Sequence, residues 1–203
     1  MKRVLITGAS GFIGSHLVEE GLSRGYEVYA AVRKTSSRRY LTDPQIRFLE
    51  LDFVSPDKLT NSLMKCKEEG LRFDFIIHNA GLTKAHNSKE FYLVNEHNTR
   101  NLVEALEETG LIPDKFVYIS SLAAVGPGDP VTMRPISDES PSHPIDTYGK
   151  SKRAAEVYLQ SRSAFPSLIL RPTGVYGPRE NDYLTVYRNL NKGFELYAGS
   201  TTQ

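Results

Sequence analysis

The stretch Thr7–Gly14, which reads TGASGFIG, decides the fold of this chain. It directly follows the apolar run Val4–Ile6 and leads into an amphipathic segment, Phe12–Arg24. An apolar run, a glycine-rich turn and a segment of helical period predict a strand, a tight turn and the start of a helix. A glycine turn that binds nothing is the alternative interpretation of these eight residues alone.

Three glycines within this stretch, Gly8, Gly11 and Gly14, are spaced three residues apart. A side chain at Gly8 or Gly11 would keep the phosphates of a ligand away from the backbone, and Gly14 lets the new helix lie close to the sheet. The free N–H groups at the helix start, with the positive end of the helix dipole, suit a pyrophosphate. The spacing therefore predicts nucleotide binding.

The composition limits the class of protein. A chain of 203 residues predicts one domain, with room for a small appendage. The net charge of +1 predicts no attraction to nucleic acid, and no apolar run is long enough to cross a membrane. The single cysteine, Cys66, is predicted on a surface helix and fits a reducing cytoplasm. The N-terminus leads straight into a strand, so we expect no signal peptide.

Predicted strands and helices alternate along the chain. Strands are predicted at Arg3–Ile6, Glu27–Val32, Ile46–Leu49, Phe73–Ile77, Lys115–Ile119, Ser167–Leu170 and Phe194–Ala198. Helices are predicted at Phe12–Arg24, Pro56–Glu69, Lys89–Thr109, Thr147–Ala164 and Asp182–Lys192. In the first helix, Phe12, Ile13, Leu17 and Leu22 follow the helical period. This order predicts an α/β fold, a doubly wound parallel sheet in a three-layer sandwich.

Ligands of such sheets bind beyond the carboxyl ends of the strands, where the strand order reverses. Candidate site residues should therefore come directly after strands. The residues at such positions are Thr7–Gly14, Arg33, Asp52, Asn79–Gly81, Ser120, Ser121 and Arg171–Gly177.

Tyr148 and Lys152, in the run YGKSK, form a second candidate group. Residues four apart share one face of a helix. A free phenol has a pKa of about 10, and a nearby ammonium lowers it by stabilising the phenolate. Such a pair suits proton transfer in a carbonyl/alcohol conversion. On its own, a pair at this spacing is usually a surface contact.

These motifs, in this order, resemble the extended branch of the short-chain dehydrogenase/reductase superfamily, the NAD-dependent epimerase/dehydratase family. The matching motifs are TGASGFIG at Thr7–Gly14, LDF at Leu51–Phe53, HNAG at His78–Gly81, VNEHNTRNLVEA at Val94–Ala105, YISS at Tyr118–Ser121, YGKSK at Tyr148–Lys152 and LRPTGVYGP at Leu170–Pro178. The resemblance implies a Rossmann-like NAD(P)-binding domain over residues 1–178 and the start of a substrate-binding lobe over residues 179–203.

The resemblance also implies the catalytic roles. Tyr148 would be the acid/base, and Lys152 would lower its pKa and hydrogen-bond the nicotinamide ribose. Ser121 would orient the substrate oxygen, with Ser120 as the less favoured candidate. The reaction would be reversible hydride transfer at a carbinol or carbonyl.

A larger set of residues would surround the dinucleotide. By resemblance, Asp52 would bond the adenine amino group beside Phe53, and Pro172 and Val175 would flank the nicotinamide. The full set is Gly8, Ser10, Gly11, Phe12, Ile13, Gly14, Arg33, Asp52, Phe53, Ala80, Gly81, Asn95, Ser120, Tyr148, Lys152, Pro172 and Val175. Without the resemblance, Asp52 would be a turn cap and Asn95 part of a solvated helix face.

The end of the second predicted strand bears on the choice of dinucleotide. NAD-preferring relatives place an acidic residue there, whereas this chain has Arg33 and Lys34, followed by Arg38 and Arg39. Cations can meet a 2′-phosphate through charge-assisted hydrogen bonds. We therefore predict a slight preference for NADP over NAD, led by Arg33. A merely solvated basic loop is the alternative.

The substrate stays open between two classes. A nucleotide-sugar epimerase or dehydratase is the first prediction. An NADP(H)-dependent ketone or dihydroflavonol-like reductase is the alternative, because Leu122 stands where epimerases usually keep a third hydroxyl residue. Four cations are either diphosphate contacts or ordinary surface and packing residues: Lys84, Arg171, Arg179 and Arg188.

Family members usually continue well beyond the length of this chain. We expect a fragment with intact cofactor binding and little or no turnover; a naturally short reductase with a minimal lid is the alternative. The resemblance further implies a homodimer in which helices 89–109 and 147–164 pack into a four-helix bundle.

Other classes of function fit less well. A non-catalytic dinucleotide sensor would keep the glycine turn and lose the Tyr/Lys pair. The histidines lack the spacing of a metal site, and no G-x-S-x-G motif marks a hydrolase. Nucleic-acid binding would need a basic stripe or a recognition motif, and the sequence shows neither.

Overall fold

The computed structural model describes residues 1–194. Its strands are β1 Arg3–Thr7, β2 Glu27–Val32, β3 Arg47–Glu50, β4 Phe75–His78, β5 Lys115–Ile119 and β6 Ser167–Leu170. Its α-helices are α1 Phe12–Ser23, α2 Pro56–Glu68, α3 Ser88–Tyr92, α4 Asn98–Thr109, α5 Thr147–Ser161 and α6 Asp182–Asn191. The strands form one parallel sheet in the order β3-β2-β1-β4-β5-β6. The doubly wound fold predicted from the sequence is confirmed.

Two apolar cores cover the two faces of the sheet. Leu5 belongs to the core shared with α2, α4 and α5, whereas its neighbours Val4 and Ile6 belong to the core that contains Val18 of α1. Alternate residues of β1 thus serve opposite cores, as the two-residue period of a strand requires.

The described strands lie within two residues of their predicted positions. The largest difference is at β4, which begins at Phe75 rather than Phe73. Phe73 is buried in the core, and the carboxylate of Asp74 accepts the N–H of Arg3 at 2.7 Å, so pairing with β1 starts one residue later. The predicted strand over Phe194–Ala198 lies almost entirely outside the described residues.

Helix α1 buries smaller residues than expected. The covered positions are Gly14, Ser15, Val18 and Gly21. The residues on which the prediction rested are only half-buried: Phe12, Ile13, Leu17 and Leu22. The reason is close packing, because a Cβ on Gly21 would lie 2.9 Å from a methyl group of Val28 in β2. The small residues set how near the helix approaches the sheet.

The long helix predicted at Lys89–Thr109 is not one regular helix. Between α3 and α4 the chain makes a π-helical turn over Leu93–His97. A π turn adds a residue to the helix and often marks a functional position. Here it carries Asn95, which is fully buried and hydrogen-bonded to the main chain of Leu82. The helix ends as predicted at Gly110, which has a φ of +69°.

Helix α5 ends at Ser161 rather than at the predicted Ala164. After Arg162 the chain turns, and the N–H of Phe165 donates to the oxygen of Arg162 at 2.9 Å. This turn places Phe165 in the core beside Phe116 of β5, with ring centres 5.2 Å apart. Burial of an aromatic ring therefore ends the helix early.

Cys66 corrects the prediction of a surface position. Its side chain is buried in the core beneath α2, although its sequence neighbours are charged. Burial raises the pKa of the thiol. A buried thiol of raised pKa is unreactive, which agrees with a structural rather than a nucleophilic role.

The chain divides into a compact unit over Met1–Thr173 and a second unit that begins at Gly174. In the second unit, the carboxylate of Glu180 accepts the N–H groups of Asp182 and Tyr183 at 2.7 and 2.6 Å and so supports the start of α6. The domain boundary predicted after residue 178 stays a prediction. Within residues 1–194, no helix combines the length and the apolar character that a membrane span requires.

Candidate active site

The strand order reverses at β1, which pairs with β2 on one side and β4 on the other. Parallel strands end at one common edge of the sheet, where ligands of this fold class bind. Three segments meet at this edge: the glycine turn after β1, residues 79–81 after β4, and Ser120 with Ser121 after β5.

The glycine turn has no space for side chains. Gly8 has a φ of +64°, and a Cβ there would lie 2.8 Å from the nitrogen of Ala80. A Cβ on Gly14 would collide with the main chain of Gly8, and one on Gly11 would lie 3.3 Å from the Gly8 oxygen. No side chain caps the start of α1 at Gly11. The backbone can therefore approach a pyrophosphate closely, with the helix N-terminus aimed at it.

His78, at the end of β4, ties this turn to α4. Its Nδ1 lies 2.8 Å from the hydroxyl of Thr7, and its Nε2 lies 3.0 Å from the hydroxyl of Thr99. Thr99 donates its hydrogen to the oxygen of Asn95 at 2.8 Å, so its oxygen must accept from Nε2–H. Nδ1 then accepts from Thr7, whose oxygen accepts the N–H of Ala80 at 3.0 Å. His78 is therefore the tautomer that carries its hydrogen on Nε2.

Burial keeps the ring of His78 neutral. The ring is fully covered and stacks beside Tyr118, with centres 5.9 Å apart. Burial lowers its pKa to about 3. A neutral ring with both nitrogens bonded within the protein supports the site and does not act as an acid or base at neutral pH.

Tyr148, the second residue of α5, interacts with Ser121, which lowers the pKa of its phenol. The helix begins there because the carboxylate of Asp146 accepts the N–H of Gly149 at 2.6 Å. The ring of Phe91 packs against the phenol ring, with centres 6.0 Å apart. Burial raises the pKa of Tyr148 and outweighs the effect of Ser121. The phenol is therefore protonated near neutrality, and its role as the acid/base stays a prediction.

Lys152 lies one helical turn further along α5 and is only 4% exposed. Its ammonium donates to the oxygen of Ile119 at 2.8 Å and lies 4.9 Å from the ring centre of Tyr118. Burial lowers the pKa of Lys152 to about 8, while the charge of Glu156 raises it. A cation of this kind is held in place before any ligand binds.

The expected effect of Lys152 on Tyr148 is not present in this arrangement. The sequence interpretation had the ammonium lowering the pKa of the phenol, whereas that pKa is raised. The ammonium is directed at the main chain of β5, and burial of the phenol dominates. Sharing a helix face brings the two residues to one site without pairing their polar atoms.

Gly81 and Asn95 complete this region. A Cβ on Gly81 would lie 3.0 Å from both Asn95 Oδ1 and Lys152 Nζ. The amide of Asn95 accepts the N–H of Leu82 at 2.8 Å, and it donates to the oxygen of Leu82 and to Ser151, each at 3.0 Å. Asn95 therefore positions the loop after β4, because its amide is engaged by the protein itself rather than exposed on a solvated face.

Comparison with known proteins agrees with this geometry. The model of the NAD dependent epimerase/dehydratase family matches residues 4–196. The chain belongs to this family. It is 32% identical to mouse dTDP-D-glucose 4,6-dehydratase, over 88% of this chain and 52% of that protein. It is also 32% identical to human sterol-4-alpha-carboxylate 3-dehydrogenase, decarboxylating, over 88% of this chain and 46% of that protein.

The structure of Thermus thermophilus UDP-glucose 4-epimerase in complex with NAD superposes with a TM-score of 0.74 at 28% identity, covering 88% of this chain and 57% of that one. The chain thus spans about half the length of the relatives it matches. Membership of this family confirms the resemblance found in the motifs.

Ser120, for which the family resemblance implied a cofactor contact, directly follows β5. Its hydroxyl is buried and donates to the carboxylate of Glu156 at 2.6 Å. That carboxylate also accepts two hydrogen bonds from Arg171, at 2.9 and 2.8 Å. The Ser120 hydroxyl anchors the strand end, and its contact with a cofactor stays a prediction. Arg171 likewise packs against the protein and is no free diphosphate contact.

The residues expected around adenine, Asp52 and Phe53, have different surroundings in the structure. Phe53 is buried in the core, with its ring centre 6.0 Å from that of His78, and its contact with adenine stays a prediction. The carboxylate of Asp52 accepts the N–H of Val54 at 3.2 Å and lies 3.6 Å from Lys58. Arg33 is exposed at the end of β2. An adenine contact by Asp52 stays a prediction.

The other predicted cofactor residues lie as follows. Ser10, Phe12 and Ile13 are half-buried in the glycine turn and the first turn of α1. Pro172 follows β6, and its oxygen accepts the N–H of Leu122 at 2.9 Å. Val175 belongs to the second unit. Their contacts with a dinucleotide stay predictions.

Sequence reasoning missed Glu156 as part of the site. It lies four residues after Lys152, on the same face of α5, and is completely buried. An acidic residue one turn after a buried lysine, at a position that the helical period turns inward, is the signal that would have found it.

Proposed function

We propose that the protein is an NAD(P)-dependent nucleotide-sugar epimerase or dehydratase. The observation that carries this proposal is the interaction of Ser121 with Tyr148 at the sheet edge where the glycine turn opens. Membership of the NAD dependent epimerase/dehydratase family supports it, as do relatives named as a dTDP-D-glucose dehydratase and a UDP-glucose epimerase.

Each residue of the site has one task in this proposal. Tyr148 holds the proton that a substrate oxygen receives or gives up. Ser121 interacts with that phenol and orients the same oxygen. Lys152, beside Gly81, presents a fixed cation to the ribose of the dinucleotide. When bound, NAD would take up and return a hydride at the substrate carbon.

The cofactor part of the proposal is tested by melting the protein with NAD, with NADP and without either. A ligand that binds only the folded state stabilises it by about 2.7 kcal/mol at a hundredfold excess over its Kd. We expect a clear rise in Tm with at least one dinucleotide. No rise with either would contradict the proposal. The substrate part is tested by adding UDP-glucose or dTDP-glucose and following the sugar by NMR.

Arg33 supports a preference for NADP. It is exposed at the end of β2, and the following Arg38 and Arg39 stack on Phe48 and Tyr40 at 4.1 and 4.3 Å. These cations follow Arg33 in the chain, and positive charge is what a 2′-phosphate requires. In the Arg33→Ala variant we expect the affinity for NADP to fall at least about tenfold and that for NAD to change little. Tighter binding of NAD by the unmodified protein would contradict this preference.

A reductase of ketone or dihydroflavonol-like substrates is the second candidate. Leu122 places an apolar side chain directly after Ser121, and its N–H donates a hydrogen bond to the oxygen of Pro172. A substrate with fewer hydroxyl groups than a sugar suits this position. The human relative named as a sterol-carboxylate dehydrogenase supports this candidate. Oxidation of NADPH by an apolar ketone, without turnover of either nucleotide sugar, would favour it.

We also propose a homodimer formed by α4 and α5. A surface groove between these helices is lined by Glu96, Arg100, Lys150, Arg153, Ala154, Val157, Tyr158 and Ser161. Val157 is half exposed, and Arg100 pairs with Glu96, one turn earlier in the chain, at 3.0 Å. We expect light scattering to give twice the chain mass at micromolar protein and the Val157→Glu variant to be monomeric. A monomeric unmodified protein would contradict the dimer.

A further inference from the structure

Glu156 is a fully buried carboxylate with three partners. It accepts hydrogen bonds from Ser120 at 2.6 Å, from Arg171 at 2.9 and 2.8 Å, and from Arg153 at 3.0 Å. Burial raises its pKa, but the hydrogen bonds from Arg171 and Ser120 outweigh burial, so the pKa lies below its ordinary value. The group is therefore an anion inside the protein.

This anion and the Lys152 cation bind consecutive residues of one strand end. Lys152 donates to the oxygen of Ile119, and Glu156, one turn later, accepts from the hydroxyl of Ser120. The two side chains are one helical turn apart on α5, and their partners are adjacent residues at the end of β5. The two contacts together therefore fix both the position and the register of α5 against β5. A slip of one residue in either element would break both contacts.

The same contacts enclose Ser121. On one side, Ser120 is held by Glu156 and by its N–H bond to the oxygen of Leu170 at 2.7 Å. On the other side, the N–H of Leu122 donates to Pro172 at 2.9 Å. Ser121 therefore has both neighbours anchored, and its hydroxyl meets a tyrosine carried by the same helix as Glu156.

Stability alone does not account for this group. Replacing a buried ion pair by well-packed apolar residues is often neutral or stabilising, so such a pair is weak evidence for a role in stability. Ionic groups with several directional hydrogen bonds do provide a defined geometry. The geometry defined here is that of the candidate active site.

We propose that Glu156 is a positioning residue of this site: its carboxylate clamps Ser120 and Arg171, holds α5 in register with β5 and maintains the charge of Lys152. The proposal rests on the proposed function only for what the site does, since the clamp is a property of the protein without ligand.

Because few charged groups face Lys152, the pH at which it titrates reports on the carboxylate of Glu156. The groups that face Lys152 are the ring of Tyr118 on β5, the neutral His78 on β4, Asn95 on the π turn, and Glu156 on its own helix. Glu156 supplies the negative charge among these groups. Arg171 and Arg153 also bind that carboxylate.

The test is a pH titration of lysine-labelled protein, with the ¹³Cε resonance of Lys152 assigned from a Lys152→Arg variant. We expect a midpoint near pH 8 in the unmodified protein. Glu156→Gln should lower that midpoint by about one pH unit, because it removes the neighbouring anion. Glu104→Gln, the same chemical change on the exposed face of α4, is the matched control and should leave it unchanged. An unchanged midpoint in folded Glu156→Gln overturns the proposal.

Ser120→Ala provides a second test that leaves the carboxylate and both arginines in place. We expect the titration midpoint of Lys152 to stay unchanged in this variant. We expect binding of NADH or NADPH to weaken about fivefold or more, because the contact between Ser120 and Glu156 that fixes the register is lost. Undiminished dinucleotide affinity overturns the register part of the proposal. If the unmodified protein binds neither dinucleotide, the proposed function fails, and the Lys152 titration still decides the role of Glu156.

Discussion

The ammonium of Lys152 donates a hydrogen bond of 2.8 Å to the main-chain oxygen of Ile119, at the end of the strand that leads to the candidate active site. The cation is thus held by the backbone of β5 rather than by the phenol of Tyr148. Its position is set before a ligand arrives, and burial of its charge is the cost of this preorganisation.

Lys152→Met should be more stable than the unmodified protein at pH 7. The pKa of Lys152 is about 8 in the folded chain, below its value in the unfolded chain. Unfolding therefore takes up a proton between these two pKa values, and the stability of the unmodified protein rises with pH across that window. We expect a gain of about 1–2 kcal/mol at pH 7 in urea unfolding, shrinking above pH 8. Lys150→Met, on the exposed face of α5, is the control; a large loss of stability in Lys152→Met would show that the ammonium is well compensated.

Tyr148→Phe should lower turnover about a hundredfold or more and leave dinucleotide affinity within about threefold. The variant removes the proton that the site transfers and keeps the ring that packs against Phe91. Steady-state kinetics with the substrate found under the proposed function, together with fluorescence titration of NADH or NADPH, measures both effects. Tyr158→Phe on the same helix is the control. Equal turnover in Tyr148→Phe and Tyr158→Phe would remove Tyr148 from the chemistry.

His78 should make stability depend on pH well above the range in which carboxylates titrate. Its pKa is about 3 in the folded chain, whereas an ordinary histidine titrates near neutrality, so the unfolded state binds the extra proton first. Stability should fall as the pH drops from 6.5 to 4.5, by up to about 1.4 kcal/mol per pH unit. His78→Gln should flatten this dependence, and His86→Gln, at an exposed position, should not. Parallel curves for the unmodified protein and His78→Gln would contradict the neutral buried ring.

Gly11→Ala and Gly14→Ala should separate binding from folding. A Cβ on Gly11 would lie 3.3 Å from the Gly8 oxygen, so a small shift accommodates it, whereas a Cβ on Gly14 would collide with the main chain of Gly8. We expect Gly11→Ala to fold and to bind the dinucleotide at least about tenfold more weakly, because the methyl group holds the phosphates away. Gly14→Ala should lose about 3 kcal/mol or more of stability, or fail to fold. Circular dichroism melts and dinucleotide titration measure the two effects; undiminished binding by Gly11→Ala would argue against a pyrophosphate at this turn.

Much of the fold was readable because its signals are local. The apolar period of two or 3.6 residues, the glycines that follow α1, α2 and α4, and the polar cap at Asp146 act over a few residues. The places where the prediction was wrong are those where a distant partner overrides the local preference. Phe165 ends α5 early to fill the core, and Asn95 lies in a π turn that a helical period does not reveal.

The sequence by itself determined the order of the strands and helices, the glycine turn after β1, and the presence of a serine, a tyrosine and a lysine at neighbouring strand and helix ends. Only the tertiary structure decided how their polar atoms pair. Thr7 and His78 are 71 residues apart in the chain, Lys152 and Ile119 are 33 apart, and Ser120 and Glu156 are 36 apart. Such contacts depend on how helices and strands pack, since burial turns each polar group toward whichever distant partner can satisfy its hydrogen bonds.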